Sequence, residues 1–164
     1  MKGLGYILWH ARHEFYHILL GLLWVWILRE RWGQFHVTWI ALALVGSLLP
    51  DVDHLVYWFG YGKNDHYTVQ IKKFFKARQW RDLMLFIEKG HKGVTTLSSH
   101  NLYVTAILLV SGLLSSFYSW RGGVILAGAM FIHYAFDIAD DLVQLGAMNA
   151  NWKRWGRGVK HRSS

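Results

Sequence analysis

Four stretches of this chain carry side chains that bind metals or move protons. His10, His13, Glu14 and His17 stand at i, i+3, i+4 and i+7, which at about 100° per residue puts all four on one narrow stripe of a helix. Pro50-Asp51-Val52-Asp53-His54 sets two carboxylates and an imidazole directly after a helix-breaking proline. Ser98-Ser99-His100-Asn101 opens a later apolar run, and His91 precedes it. His133, Asp137 and Asp140 repeat the spacing i, i+4, i+7, and paired His and carboxylate on adjacent turns are a common way for helical bundles to hold metal.

The chain has no cysteine, so any metal must be held by nitrogen and oxygen ligands. That donor set fits zinc first, with manganese close behind and ferrous iron also compatible, and the number of carboxylates allows one to three ions. The expected ligands are His17, Asp51, Asp53, His100, His133 and Asp137. His54 and Glu14 are the expected proton carriers, with His10, His13, His91 and Asp140 as additional or outer-shell candidates. Any one of these residues has a bland reading as a satisfied histidine or a solvated carboxylate. Six unpaired groups at one membrane depth do not, because each would cost a few kcal/mol on insertion. His36, His66 and His161 lie outside the cluster.

The elements that position these groups read as an all-α, polytopic membrane bundle. Only 17% of residues are charged and 53% are hydrophobic, against about 25% charged in soluble domains. Apolar runs cover Leu4 to Leu28, Val37 to Leu49 with a weak continuation through Leu55 to Phe59, Leu102 to Trp120, and Val124 to Leu145. A span needs roughly 20 apolar residues, and only the third run provides this without polar intrusions. The other three span only if their ionisable residues face a protein interior. The first run proceeds through Trp24 and Trp26 into Arg29-Glu30-Arg31 rather than to a small-residue cleavage site, so it reads as a retained helix.

Lysine and arginine orient the bundle, because cytoplasmic loops retain them. Four helices with both termini in the cytoplasm put 15 of the 18 basic residues inside and leave only Arg29, Arg31 and Arg121 opposite. The expected place is therefore the cell (inner) membrane, multi-pass. This topology uses only Lys and Arg, yet it brings the start of helix 1, the end of helix 2, the start of helix 3 and the latter half of helix 4 to the same cytoplasmic face. The division is a single membrane-embedded domain over 1–148 and a basic cytoplasmic tail over 149–164. Between the second and third spans, 68–88 interleaves Lys72, Lys73, Lys76, Arg78 and Arg81 with Phe74, Phe75, Trp80, Leu83, Met84, Phe86 and Ile87. This reads as one interfacial helix lying on membrane lipids with anionic headgroups, the alternative being an ordinary solvated charged helix. Topology accounts for the basic residues, so no nucleic-acid partner is expected.

Gly46-Ser47-Leu48-Leu49-Pro50-Asp51-Val52-Asp53-His54 resembles the Leu-Pro-Asp-x-Asp-His signature of the YdjM-like (LexA-regulated) membrane-bound metal-dependent hydrolases. His17 followed by Gly21 is similar to that family's first-helix His and glycine, and His133-Tyr134-Ala135-Phe136-Asp137 to its late His-x-x-x-Asp element. The third element departs from the family's His-Arg-Gly-x-Thr-His-Ser: here His91-Lys92-Gly93-Val94-Thr95-Thr96 is followed only later by Ser99-His100-Asn101, so that His100 replaces the second His. The resemblance implies a fold similar to zinc-dependent phospholipase C, and hydrolase chemistry.

The function expected is hydrolysis of a phosphoester by a metal-activated water at the cytoplasmic interface. A metal or proton carrier is the rival from another class, since intramembrane His and Asp also mark ion paths. A third reading is a structural subunit of a larger membrane complex, with the 10 tryptophans supplying contacts.

Overall fold

The computed structural model of this chain describes residues 12–90, 93–94 and 96–153. Among the described residues the chain is all-helical, in six helices: α1 (Arg12–Trp32), α2 (Val37–Tyr61), α3 (His66–Lys76), α4 (Trp80–Gly90), α5 (Leu102–Phe117) and α6 (Arg121–Leu145). Helix α6 is the axis of the bundle and packs against α1, α2 and α5. Close approach is made possible by small residues. A Cβ on Gly21 of α1 would collide with Ser47 Oγ of α2, and one on Gly46 would come within 2.9 Å of Ala129 Cβ and of the Leu126 carbonyl in α6.

Among the described residues two helices, α2 and α6, are long and apolar enough to cross a membrane. Helix α5, the run that is cleanest in sequence, is the shortest of the apolar set at 16 residues. It stops at Phe117 because Ser119 takes a positive φ of 57° and the Trp120 N–H returns to the Ser115 carbonyl at 2.7 Å. The polarity of the bundle is reversed relative to a water-soluble domain. His17, Ser47, His133 and Asp137 are buried, while Phe15, Leu19, Trp26, Val45, Ile107, Leu113 and Phe117 are exposed.

Helix α2 is not uniform. Pro50 tightens Leu49–Asp51 into a 3-10 turn, and Tyr57–Tyr61 widens into a π turn that ends in a kink at Gly60. Such local changes of winding often occur at functional sites. Here they aim Asp51 and Asp53 to different partners and turn Tyr61 back toward Asp53.

The interfacial helix expected over 68–88 is instead two helices, α3 and α4, packed on each other. The break falls at Ala77-Arg78-Gln79, where Arg78 adopts φ 55° and the Gln79 N–H closes on the Phe74 carbonyl at 3.0 Å. Both helices are strongly amphipathic, with Ile71 and Leu83 buried. Tyr67 donates to the Ile87 carbonyl at 3.2 Å and joins the pair, and burial raises its hydroxyl pKa above the ordinary tyrosine value.

The first residues of the expected tail belong to the packed domain. Asn149, Asn151 and Trp152 are buried, and Ala150–Lys153 forms a 3-10 turn packed against the domain. The Asn151 side chain accepts from the Leu97 N–H at 3.0 Å and donates to the Val94 carbonyl at 2.8 Å, while Trp152 Nε1 donates to Asp141 Oδ2 at 2.7 Å.

Candidate metal centre

All four apolar helical segments bring their ligand-type residues to the same end of the bundle. Helix α1 contributes its first turns, α2 its last, α5 the loop before it, and α6 its second half. At the centre is Asp137. Its Oδ1 lies 3.2 Å from both His13 Nε2 and His17 Nε2, and these two nitrogens are 3.0 Å apart. Its Oδ2 lies 3.2 Å from His133 Nε2 and 3.7 Å from His100 Nε2. Asp51 completes the ring, with Oδ1 3.7 Å from His133 Nε2.

Four triads therefore place one donor atom each within 4.8 Å of the others: His13, His17 and Asp137; His17, Asp51 and His133; Asp51, His54 and His100; and His100, His133 and Asp137. The separations of 3.0 to 3.7 Å match the ligand-to-ligand edge of about 3.3 Å that tetrahedral bonds of about 2.0–2.1 Å require. The donor set is imidazole and carboxylate, with the carboxylates near the middle.

The fit to a metal rests on atoms the protein itself leaves unmatched. Asp137 Oδ1, His133 Nε2 and Asp51 Oδ2 are buried without a hydrogen bond of proper geometry. Buried polar atoms are otherwise nearly always paired, and each orphan costs about 1–3 kcal/mol. All three belong to residues of the triads, where a cation could satisfy them. The buried cluster can bind a metal ion.

Neighbouring groups fix which ring nitrogen faces inward. His133 Nδ1 lies 2.7 Å from the Ser47 carbonyl, which can only accept, so Nδ1 carries the proton and Nε2 presents its lone pair. The His17 and His133 rings stack with centroids 3.6 Å apart, which restrains both. His100 is held by the loop it sits on: Asn101 caps α5 by accepting from the Val104 N–H at 3.0 Å and donates to the Ser98 carbonyl at 2.8 Å.

Asp53 does not stand with the ligands as expected. Its Oδ1 accepts from Tyr61 Oη at 3.0 Å and Ser98 Oγ at 3.1 Å, and its Oδ2 from the Ser99 N–H at 2.7 Å and Ser99 Oγ at 2.9 Å. Four donors use both oxygens, and the remaining neighbour is His100 Nδ1 at 3.5 Å from Oδ2. Asp53 therefore orients the loop and the imidazole of His100, a carboxylate acting behind a ligand.

Other expected positions shift in the opposite sense. His13, expected in the outer shell, is within contact distance of Asp137 and His17, and His54, expected to carry protons, also shares a triad with Asp51 and His100. Glu14 lines the cavity at its exposed side. Asp140 accepts from Gln144 Nε2 at 2.6 Å, and of these two neighbouring carboxylates it is Asp141 that lines the cavity. His10 and His91 lie outside the described residues.

The cluster forms one side of a cavity of about 220 Å³. Met84, Ile87, Val94 and Leu97 form an apolar side, and Asn149, Asn151 and Trp152 close it from the C-terminal segment. Sequence reasoning named Ser98 and Ser99 beside His100 without giving them a role and placed Met84 and Ile87 on the interfacial helix; it missed Ser47, Tyr61, Leu97, Asn151 and Trp152 at the site.

No family model, curated protein or solved structure matches this chain.

Proposed function

We propose that this protein is a multi-pass membrane hydrolase that uses one or more divalent metal ions, zinc first, to cleave a phosphoester. The observation that carries the reading is the ring around Asp137, in which buried, unmatched imidazole and carboxylate atoms converge beside an open cavity. The resemblance of short motifs to those of the YdjM-like hydrolases supports it, since those motifs single out His17, Asp51, Asp53, His54, His133 and Asp137, with His100 in place of the second His of the element that departs. A fold related to zinc-dependent phospholipase C is part of the same proposal.

A divalent ion held by this ring supplies Lewis acidity toward a phosphoryl oxygen and makes water nucleophilic near neutral pH. The residues around it have separable tasks. Asp137 and Asp51 offset the ion's charge, while His133 and His100 are held in one tautomer and orientation by Ser47 and Asp53. His54 and Glu14 stand at the cavity lining, where a group must take a proton from water and return one to the leaving oxygen. In the reaction a bond forms from phosphorus to the water oxygen, and the bond from phosphorus to the leaving oxygen breaks.

The membrane reading is supported by the exposed apolar and buried polar side chains, and the orientation by charge. Arg121 lies at the end of the bundle opposite the ring, and α1 carries Arg29 and Arg31 at its distal end. In the proposed topology the ring faces the cytoplasm. Phe35→Cys should then be labelled from outside intact cells by an impermeant thiol reagent and Gln79→Cys should not; the reverse pattern would invert the protein.

The carrier reading needs polar groups across the whole membrane. Between the ring and Arg121 the bundle is instead packed with Val25, Leu28, Trp39, Ala43, Val124, Ile125 and Ala129. The deciding experiment offers metal-replete protein an aryl phosphodiester and phospholipid vesicles. Release of phosphorylated product that disappears in Asp137→Asn is expected. No release, with metal flux through the same vesicles, would replace the hydrolase by a carrier.

A further inference from the structure

The cavity has two unlike sides. One is the ring of imidazoles and carboxylates, and the facing side is Met84 and Ile87 of α4 with Val94 and Leu97 of the following loop. An apolar wall is ordinary where an amphipathic helix packs on a core, but that role falls to Leu83, which is buried. Met84 is 39% exposed and Ile87 half-buried, and both line the cavity. The side chains of these four residues carry no hydrogen-bond donor and no acceptor stronger than the Met84 sulfur.

Size narrows the occupant further. Pockets that enclose whole drug-sized ligands run to about 300–1,000 Å³, whereas this cavity holds about 220 Å³. It has room for a headgroup and the first carbons of a chain, and anything longer must leave through the opening. Segments that supply part of the lining also expose apolar side chains: Phe15 and Tyr16 next to Glu14 in sequence, and Leu49, Val52 and Leu55 around Asp51 and His54. On the outer side of the same hairpin Lys73, Lys76, Arg78 and Arg81 are exposed, which suits a position at anionic headgroups.

We propose that the cavity takes a chain-bearing phosphoester, with the phosphoryl group at the Asp137 ring and the first methylenes of the hydrocarbon chain against Met84, Ile87, Val94 and Leu97. The inference rests on the hydrolase reading for the fate of the phosphoester, but binding of the chain is measured without turnover.

The absence of native cysteine makes a clean probe. Met84→Cys in metal-replete protein is alkylated with N-ethylmaleimide in the presence of methyl-, butyl- or hexylphosphonate, each below its micelle-forming concentration. The concentration giving half-protection should fall about fourfold per added methylene over the first few, as transfer of each methylene from water predicts. Hexanol, which has the chain without the phosphoryl group, should protect at least tenfold less well than hexylphosphonate. Ile87→Asn in the same background should flatten the series and leave the metal content unchanged. Gln79→Cys, away from the cavity lining, should show no dependence on chain length and so reports any effect of detergent.

Equal protection by methyl- and hexylphosphonate, or none by any phosphonate, would overturn the proposal even if aryl phosphodiesters are cleaved. Equal protection by hexanol would overturn the phosphoryl half of it. A chain-length series that persists while no phosphoester is cleaved would leave this inference standing and remove the hydrolase reading.

Discussion

At one end of the bundle the Arg121 guanidinium lies over Trp32 and Trp39, 5.3 and 5.9 Å from their ring centres, and donates to Gln34. Beneath it Ile125 and Ala43 are fully buried, and Trp24 Nε1 reaches the Val124 carbonyl at 3.4 Å. At the other end, within the same helices, four imidazoles crowd a carboxylate, and Asp137 Oδ1, His133 Nε2 and Asp51 Oδ2 are buried without proper hydrogen bonds. The first region is what packing produces when stability is the only demand. The second opposes stability: three such atoms cost on the order of several kcal/mol if nothing else binds them. Among the described residues the fold carries this cost at the end where the His and Asp cluster could bind a metal ion.

The sharpest way to break that comparison is to exchange the effects. Asp137→Asn should lower divalent-metal affinity at least a hundredfold, because both carboxylate oxygens serve two pairs of imidazoles, and His66→Ala should leave it unchanged. Ile125→Ala should do the reverse, costing about 2–5 kcal/mol of stability while elemental analysis finds the wild-type metal content. If Asp137→Asn kept its metal, the polar end would be as structural as the apolar one.

A smaller effect tests how the ring is held. Asp53→Asn cannot accept from all four of its donors, and it loses the negative charge beside His100 Nδ1. Metal affinity should fall about 10–100-fold, the usual consequence of removing a group that orients a ligand, with the helical content of the protein unchanged. A loss as large as that of Asp137→Asn would return Asp53 to the ligands.

Much of this asymmetry was legible in the sequence, and for a physical reason. Ligands on one helix must recur at three- and four-residue spacing, so His13 with His17 and His133 with Asp137 stand out without any knowledge of the fold. The convergence of the separate elements was legible too, since the expected four-helix arrangement brings these same ends together. What failed depended on contacts between distant segments. Asp53 alternates with Asp51 and looks equivalent, but Ser98 and Ser99 occupy its oxygens. A stripe centred on His133 favours Asp140, yet Trp152 and the Asn149 N–H select Asp141 as the buried carboxylate. Asn149, Asn151 and Trp152 look like the start of a polar tail until Val94 and Leu97 supply backbone partners for Asn151, and Asp141 accepts from Asn149 and Trp152. The break between α3 and α4 has no glycine or proline to announce it, because Arg78 itself takes the left-handed conformation.

The smallest expected effect lies at the apolar end. Arg121 contributes by the face of its guanidinium over two indole rings and by its fork toward Gln34, at the point where α6 begins and the α1–α2 loop crosses it. Lysine keeps the charge but has neither the plane nor the fork. Arg121→Lys should therefore cost about 0.5–1 kcal/mol, the range for a cation over an aromatic ring at a partly exposed site, read as a small drop in the thermal midpoint. Metal affinity should not move, because α6 runs roughly 18 Å from Arg121 to His133 at 1.5 Å per residue and the intervening core is apolar. A fall in metal affinity comparable to that of Asp53→Asn would mean that the two ends are coupled through a sliding α6, and the division between a stabilising end and a ligand-binding end would have to be given up.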